Sequence, residues 1–196
     1  MDTLAALGRT LGFSFAAGIN LYATIAVLGL AARYDWVALP PQYEAFAHPW
    51  IIGAALALYA VEFVADKVPW VDTLWDALHT VVRPLGGALI AVTALGEASP
   101  AVEALVALLG GTVAAGTHLT KAGARVAANT SPEPLSNWTL SLGEDLLVVA
   151  LGLLALQHPV AALAVVVALL VVIALLLTTI VRLARRRWTR RAGAAA

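Results

Sequence analysis

Uncharged apolar runs alternate with short polar punctuation along this chain. Two runs are long enough to cross a bilayer unaided. Thr10–Ala32 is 23 residues without a charge, and Val160–Val181 is 22 residues whose only polar members are Thr178 and Thr179; a span needs about 20. Four shorter runs lie between them. Pro49–Val61 ends at Glu62, Pro84–Gly96 ends at Glu97, Ala104–Thr117 ends at His118, and Leu146–Leu156 follows Glu144 and Asp145. Each reaches full length only if its helix carries ionisable residues toward or into the bilayer. The pattern predicts an all-α fold, a polytopic membrane helix bundle of about six transmembrane helices. The first and sixth are expected as ordinary hydrophobic helices flanking four inner, polar-marked ones.

Two connecting segments have a pattern of their own. In Val71–Arg83, the residues Asp72, Asp76, His79 and Arg83 stand at i, i+4, i+7 and i+11, one stripe of a helix. Pro84 follows, so a kink or break is expected there, with the stripe on a cytoplasmic amphipathic helix or turn that feeds the third span. The segment Asn129–Asn137 is rich in turn formers and hydroxyls, and its prolines at 132 and 134 forbid a continuous helix. It reads either as a binding loop carrying Ser131, Glu133 and Asn137, or as a tight turn capped at Ser136 and Asn137.

Composition agrees with the runs. The chain is 61% hydrophobic and only 12% charged, with mean hydropathy +0.88. A soluble domain of 196 residues could not hide that much apolar surface. Cysteine is absent, which removes disulfides and thiolate metal sites. Thr10–Ala32 follows Asp2 and a single Arg9, which does not resemble a cleavable signal.

Charge supplies an orientation. With six spans and the C-terminus inside, Arg9, Lys67, Arg83, Lys121, Arg125 and the six arginines from Arg182 to Arg191 all fall on the cytoplasmic side, and only Arg33 falls outside. That split favours both termini cytoplasmic. The arginine-rich end, with 185–196 as a basic tail, suits anionic lipid headgroups. Nucleic acid is not an expected partner.

The chain reads as one membrane domain, 1–196, with a suggestion of two halves. Ala16-Ala17-Gly18-Ile19-Asn20-Leu21 matches Ala114-Ala115-Gly116-Thr117-His118-Leu119. Three spans separate the copies, so halves 10–97 and 103–184 would form a 3+3 inverted repeat, a recurrent plan of transporters. Asn20 and His118 are then counterparts.

Ionisable groups inside a bilayer usually face protein or water and carry function. Glu62 and Asp66 are i, i+4 on the second helix, with Lys67 following. His118, Lys121 and Arg125 form an opposing basic stripe on the fourth. These stripes form either a structural ion-pair network or a gate and ion relay. Glu144-Asp145 opens the fifth span, either as a helix-dipole cap or as a cation or proton site. Asp72, Asp76 and His79 could hold a divalent cation on one helix face, although interfacial helices often look so. No soluble catalytic motif is present and no cofactor is called for, so the balance is against an enzyme.

The strings Glu62-Phe63-Val64-Ala65-Asp66-Lys67-Val68-Pro69 and Ser131-Pro132-Glu133-Pro134-Leu135-Ser136-Asn137, with Gly18–Thr24, Trp75–Thr80, Arg83-Pro84 and Glu144-Asp145, resemble a bacterial domain-of-unknown-function family of small integral membrane proteins. The likeness spans roughly Gly18 to Pro159. It implies a multi-pass protein of the bacterial plasma (inner) membrane and supplies no substrate. The leading expectation is therefore a small transporter or channel-like permease for an ion or small polar solute, with a cytoplasm-facing cavity. The alternatives are a membrane-embedded enzyme acting on lipid headgroups, using Asp72, Asp76, His79 and Glu133, and a non-catalytic scaffold subunit. Small membrane proteins of this kind often pair, so a homodimer is one assembly to test for.

Overall fold

The computed structural model describes residues 3–129 and 134–194, with side chains described for 3–128, 137–179, 181 and 182. Every regular element among them is helical: α1 (Thr3–Ile19), α2 (Leu21–Arg33), a 3-10 helix (Pro41–Ala47), α3 (Pro49–Ala65), α4 (Pro69–Leu95), α5 (Pro100–Asn129), α6 (Pro134–Gln157) and α7 (Pro159–Ala194). Helices α3 to α7 each open on a proline, where its fixed φ suits the first turn and its missing N–H is no loss. Helix α4 ends on Gly96 at φ 81, the left-handed position glycine accepts readily.

Among the described residues, four stretches are long and apolar enough to cross a membrane: Pro69–Leu95, Pro100–Ala128, Asn137–Gln157 and Pro159–Thr179. The 3-10 helix and α3, bent by 61° at His48, make a fifth if the pair is one span. The protein is a multi-pass helical membrane bundle.

The expected first span, Thr10–Ala32, is not one helix. It breaks at Asn20, whose backbone is extended (φ −147°, ψ 101°), and continues as α2. Nor does this span flank the bundle. Every residue from Gly12 to Ile19 is buried, because α1 packs on α4, α5, α6 and α7 together. Small residues permit this central position by letting backbones approach closely. A side chain at Gly12 would meet Ala155 on α6, and one at Gly18 would meet the Ala114 carbonyl and Thr117 on α5. Helix α7 remains peripheral; it packs on α1, and among its described side chains only Ala162 and Val166 are fully buried.

The break expected at Pro84 does not occur. Helix α4 runs through it, and Val71–Arg83 is the first half of one continuous helix that as a whole is a candidate span. Packing overrides the local penalty. The buried positions Asp72, Asp76, His79, Arg83, Gly87, Ile90, Ala91 and Ala94 keep one helical phase across the proline, and that face lies on α5 and α1.

Candidate functional site

The site begins at the helix break. The carbonyl of Ile19 would ordinarily accept from the Ala23 N–H. Instead the Asn20 side chain takes that donor, its Oδ1 accepting at 2.9 Å. Asparagine competes for backbone groups in this way, which is why it caps α2 rather than continuing α1. Two cations meet the released carbonyls: Lys121 Nζ donates to Ile19 at 3.1 Å, and Arg83 Nη1 approaches the Gly18 carbonyl at 3.5 Å. The other end of the Asn20 amide donates to Asp145 Oδ1 at 3.2 Å.

From these cations a buried ion network spreads across four helices. Arg83 on α4 holds Glu62 at 2.8 Å and Asp76 at 3.2 Å. Lys121 on α5 reaches Glu62 at 3.4 Å, Glu144 at 3.5 Å and Asp66 at 3.6 Å. Arg125, one turn further, holds Asp66 at 2.7 Å and Glu144 at 2.8 Å and approaches Asp72 at 3.9 Å. It also donates to Asn137 Oδ1 at 2.9 Å. Glu62 and Arg83 are fully buried, and Arg125 is 1% exposed. Removing either partner of such a pair would leave a desolvated charge, a change of about 3–5 kcal/mol.

The two histidines have defined tautomers. Arg83 Nη1 lies 2.7 Å from His118 Nδ1. A guanidinium only donates, so Nδ1 accepts, and Nε2 carries the proton and donates to the Asp76 carbonyl at 3.1 Å. His79 is reversed: Nδ1 donates to the Trp75 carbonyl at 2.7 Å, leaving Nε2 to accept from the Tyr22 hydroxyl at 2.9 Å.

Two clefts reach the network. One, of about 180 Å³, lies between α4 and α5 and reaches Asp76, Thr80 and Arg125. The other, of about 170 Å³, reaches Lys121 and Glu144 past Phe15, Ile19, Leu147 and Ile173.

A family model described as Domain of unknown function (DUF4126) matches residues 7–179. The chain belongs to this family. No curated protein and no solved structure matches it. The DUF4126 match runs from α1 into α7, so the helix break and every residue of the ion network lie within it.

The structure brings together Asn20, Glu62, Asp66, His118, Lys121, Arg125, Asn137, Glu144 and Asp145, all singled out by their positions in the sequence. Lys67 stands to one side: Nζ donates to the Phe63 carbonyl at 2.8 Å, lies 3.1 Å over the Phe63 ring and reaches Ser141 at 3.5 Å. Ser131 and Glu133 lie outside the described residues. Glu144 and Asp145 do not open a helix, because α6 begins at Pro134 and carries them inside its candidate span; helix-dipole capping is thereby replaced by ion pairing. For the same reason Asn137 is no cap but a partner of Arg125.

The metal grouping of Asp72, Asp76 and His79 is corrected. Among the described residues no three His, Asp or Glu converge to hold a metal ion. Asp76 turns to Arg83, Asp72 to Arg125, and His79 to Tyr22 and Trp75. Pattern reading undervalued Arg83, which is the hub of the site. The available signal was the phase of its stripe, which continues past Pro84 into Gly87 and Ile90.

Proposed function

We propose that this chain is a small ion or polar-solute permease of the bacterial plasma membrane, with both termini cytoplasmic and the arginine tail against anionic headgroups. The observation that carries this reading is the break at Asn20 where the central helix α1 ends, with its released carbonyls bonded by Arg83 and Lys121. Discontinuous helices that present backbone groups to ions at the centre of the bundle are the recurrent device of secondary transporters. A bundle needing only stability has no use for a charged core, since apolar packing serves as well or better. The two clefts that reach the network from the α4 and α6 sides favour access over a purely sealing role. The matching strings lie face to face, Gly18 against Ala114 and Thr117, which supports relating halves 10–97 and 103–184 as an inverted repeat.

In this reading the ion pairs are the closed gate. Glu62 bridges Arg83 and Lys121, and His118 steadies Arg83 from the α5 side. The test is ion flux in proteoliposomes with trapped pH- and potassium-sensitive dyes, comparing wild type with Glu62→Gln and His118→Ala. Both variants are expected to change flux by tenfold or so, the equivalent of about 1.4 kcal/mol. Equal flux in all three at equal reconstitution would sink the site.

A further inference from the structure

We propose that Asp145 binds the proton that drives this permease, and that Asn20 reads its charge at the helix break. The inference rests on the permease reading and adds the coupling ion. It starts from a mismatch of charge. Three cations, Arg83, Lys121 and Arg125, are ion-paired to five carboxylates, those of Glu62, Asp66, Asp72, Asp76 and Glu144. His118 is neutral, since its Nδ1 accepts from Arg83. Asp145 is a sixth carboxyl on the same cluster, 8% exposed and outside those ion pairs. Its Oδ1 accepts from the Asn20 amide, and the Tyr59 hydroxyl on α3 is a second neutral partner. A buried carboxylate in excess of the paired cations is relieved by neutralisation, and the simplest neutralising ligand for a carboxylate is a proton.

The surroundings suit a group that changes charge. Asn20 faces Asp145 from the break, Tyr59, Glu62 and Asp66 from α3, Lys67 from the turn after α3, and Lys121 from α5; Glu144 precedes it on α6. The acids disfavour a further negative charge and the two lysines favour one. The balance can therefore tip when a gate opens and moves Lys121. The step is a simple one: a proton adds to one carboxylate oxygen, forming an O–H bond and removing one negative charge. Its structural consequence passes through Asn20. The ionised carboxylate holds the amide Nδ2 strongly, and Oδ1 of the same amide caps Ala23. Protonation weakens the first bond and loosens the group that fixes the break, beside the Ile19 carbonyl that Lys121 occupies.

The test is infrared spectroscopy of the full chain in proteoliposomes, titrated in pH. A carboxylic-acid C=O band is expected that shifts when aspartate side chains are carbon-13 labelled, disappears in Asp145→Asn, and changes frequency in Asn20→Ala. No such band, no isotope shift, or a band untouched by Asn20→Ala overturns the assignment, and the last two comparisons hold even if Asp145→Asn fails to fold. The transport arm imposes a pH gradient and reads a trapped pH dye. Asp145→Asn is expected to lose gradient-driven proton entry at least tenfold. If wild type moves no ion, the permease reading falls and the coupling role with it. If proton entry is the same in Asp145→Asn, only the role of Asp145 falls.

Discussion

Arg83 shows how much one side chain can organise. Its guanidinium joins Glu62, Asp76, His118 and the Gly18 carbonyl, linking α3, α4, α5 and the end of α1. Replacing it by methionine keeps much of the volume and removes every one of these bonds. Arg83→Met is expected to destabilise the bundle by about 3–5 kcal/mol, because Glu62 keeps its burial and loses its nearest cation. Thermal unfolding in detergent measures this, and Arg83→Met with Glu62→Gln should recover part of the loss; a double variant no better than the single would contradict the pairing. At this scale the sequence was informative about identity and weaker about role. Asn20, Glu62, Asp66, His118, Lys121 and Glu144 stand out as polar residues at the margins or middle of apolar runs. Arg83 and Asp145 were visible too, but their weight depends on which helix continues past a proline and where another one starts, and residue type does not encode that.

The helices themselves were legible where composition changes sharply, the runs from Pro49 and Val160 opening at or one residue after the starts of α3 and α7, and less so inside uniform runs. Thr10–Ala32 gives no hydropathy signal at its break, since Asn20 is a single polar residue whose effect comes from its side-chain bond to Ala23. Pro84 gave the opposite impression, a strong local breaker overruled by a continuous buried face. That face packs closely. A methyl group added at Gly110 would press on Ala91, on Ser14 Oγ at 2.8 Å and on the Gly87 carbonyl at 3.0 Å, whereas one at Gly116 meets nothing. Gly110→Ala is therefore expected to destabilise by about 1–3 kcal/mol through overpacking, and Gly116→Ala to stabilise by about 0.5–1 kcal/mol through helix propensity. Melting temperatures of the two variants should move in opposite directions; movement in the same direction would mean that α4 and α5 are packed differently.

For the whole molecule, the proposed orientation rests on the charge split between the two sides and not on helix packing. The absence of cysteine makes the assignment easy to check. Glu97 lies in the exposed turn between α4 and α5, and Trp70 is 72% exposed at the start of α4. In intact cells a membrane-impermeant maleimide is expected to label Glu97→Cys and to spare Trp70→Cys until the membrane is opened. The reverse pattern would invert the topology and move the ion network to the other half of the bilayer.

The central place of α1 has a further consequence for biogenesis. The ribosome makes α1 before the helices it rests on, α4, α5, α6 and then α7. Its small-residue faces and the amide of Asn20 must wait in the translocon or in lipid while the later helices are synthesised. Gly8 meets the backbone of Pro159 only after α2 to α6 have emerged. Insertion and folding are thus separated in time for this helix.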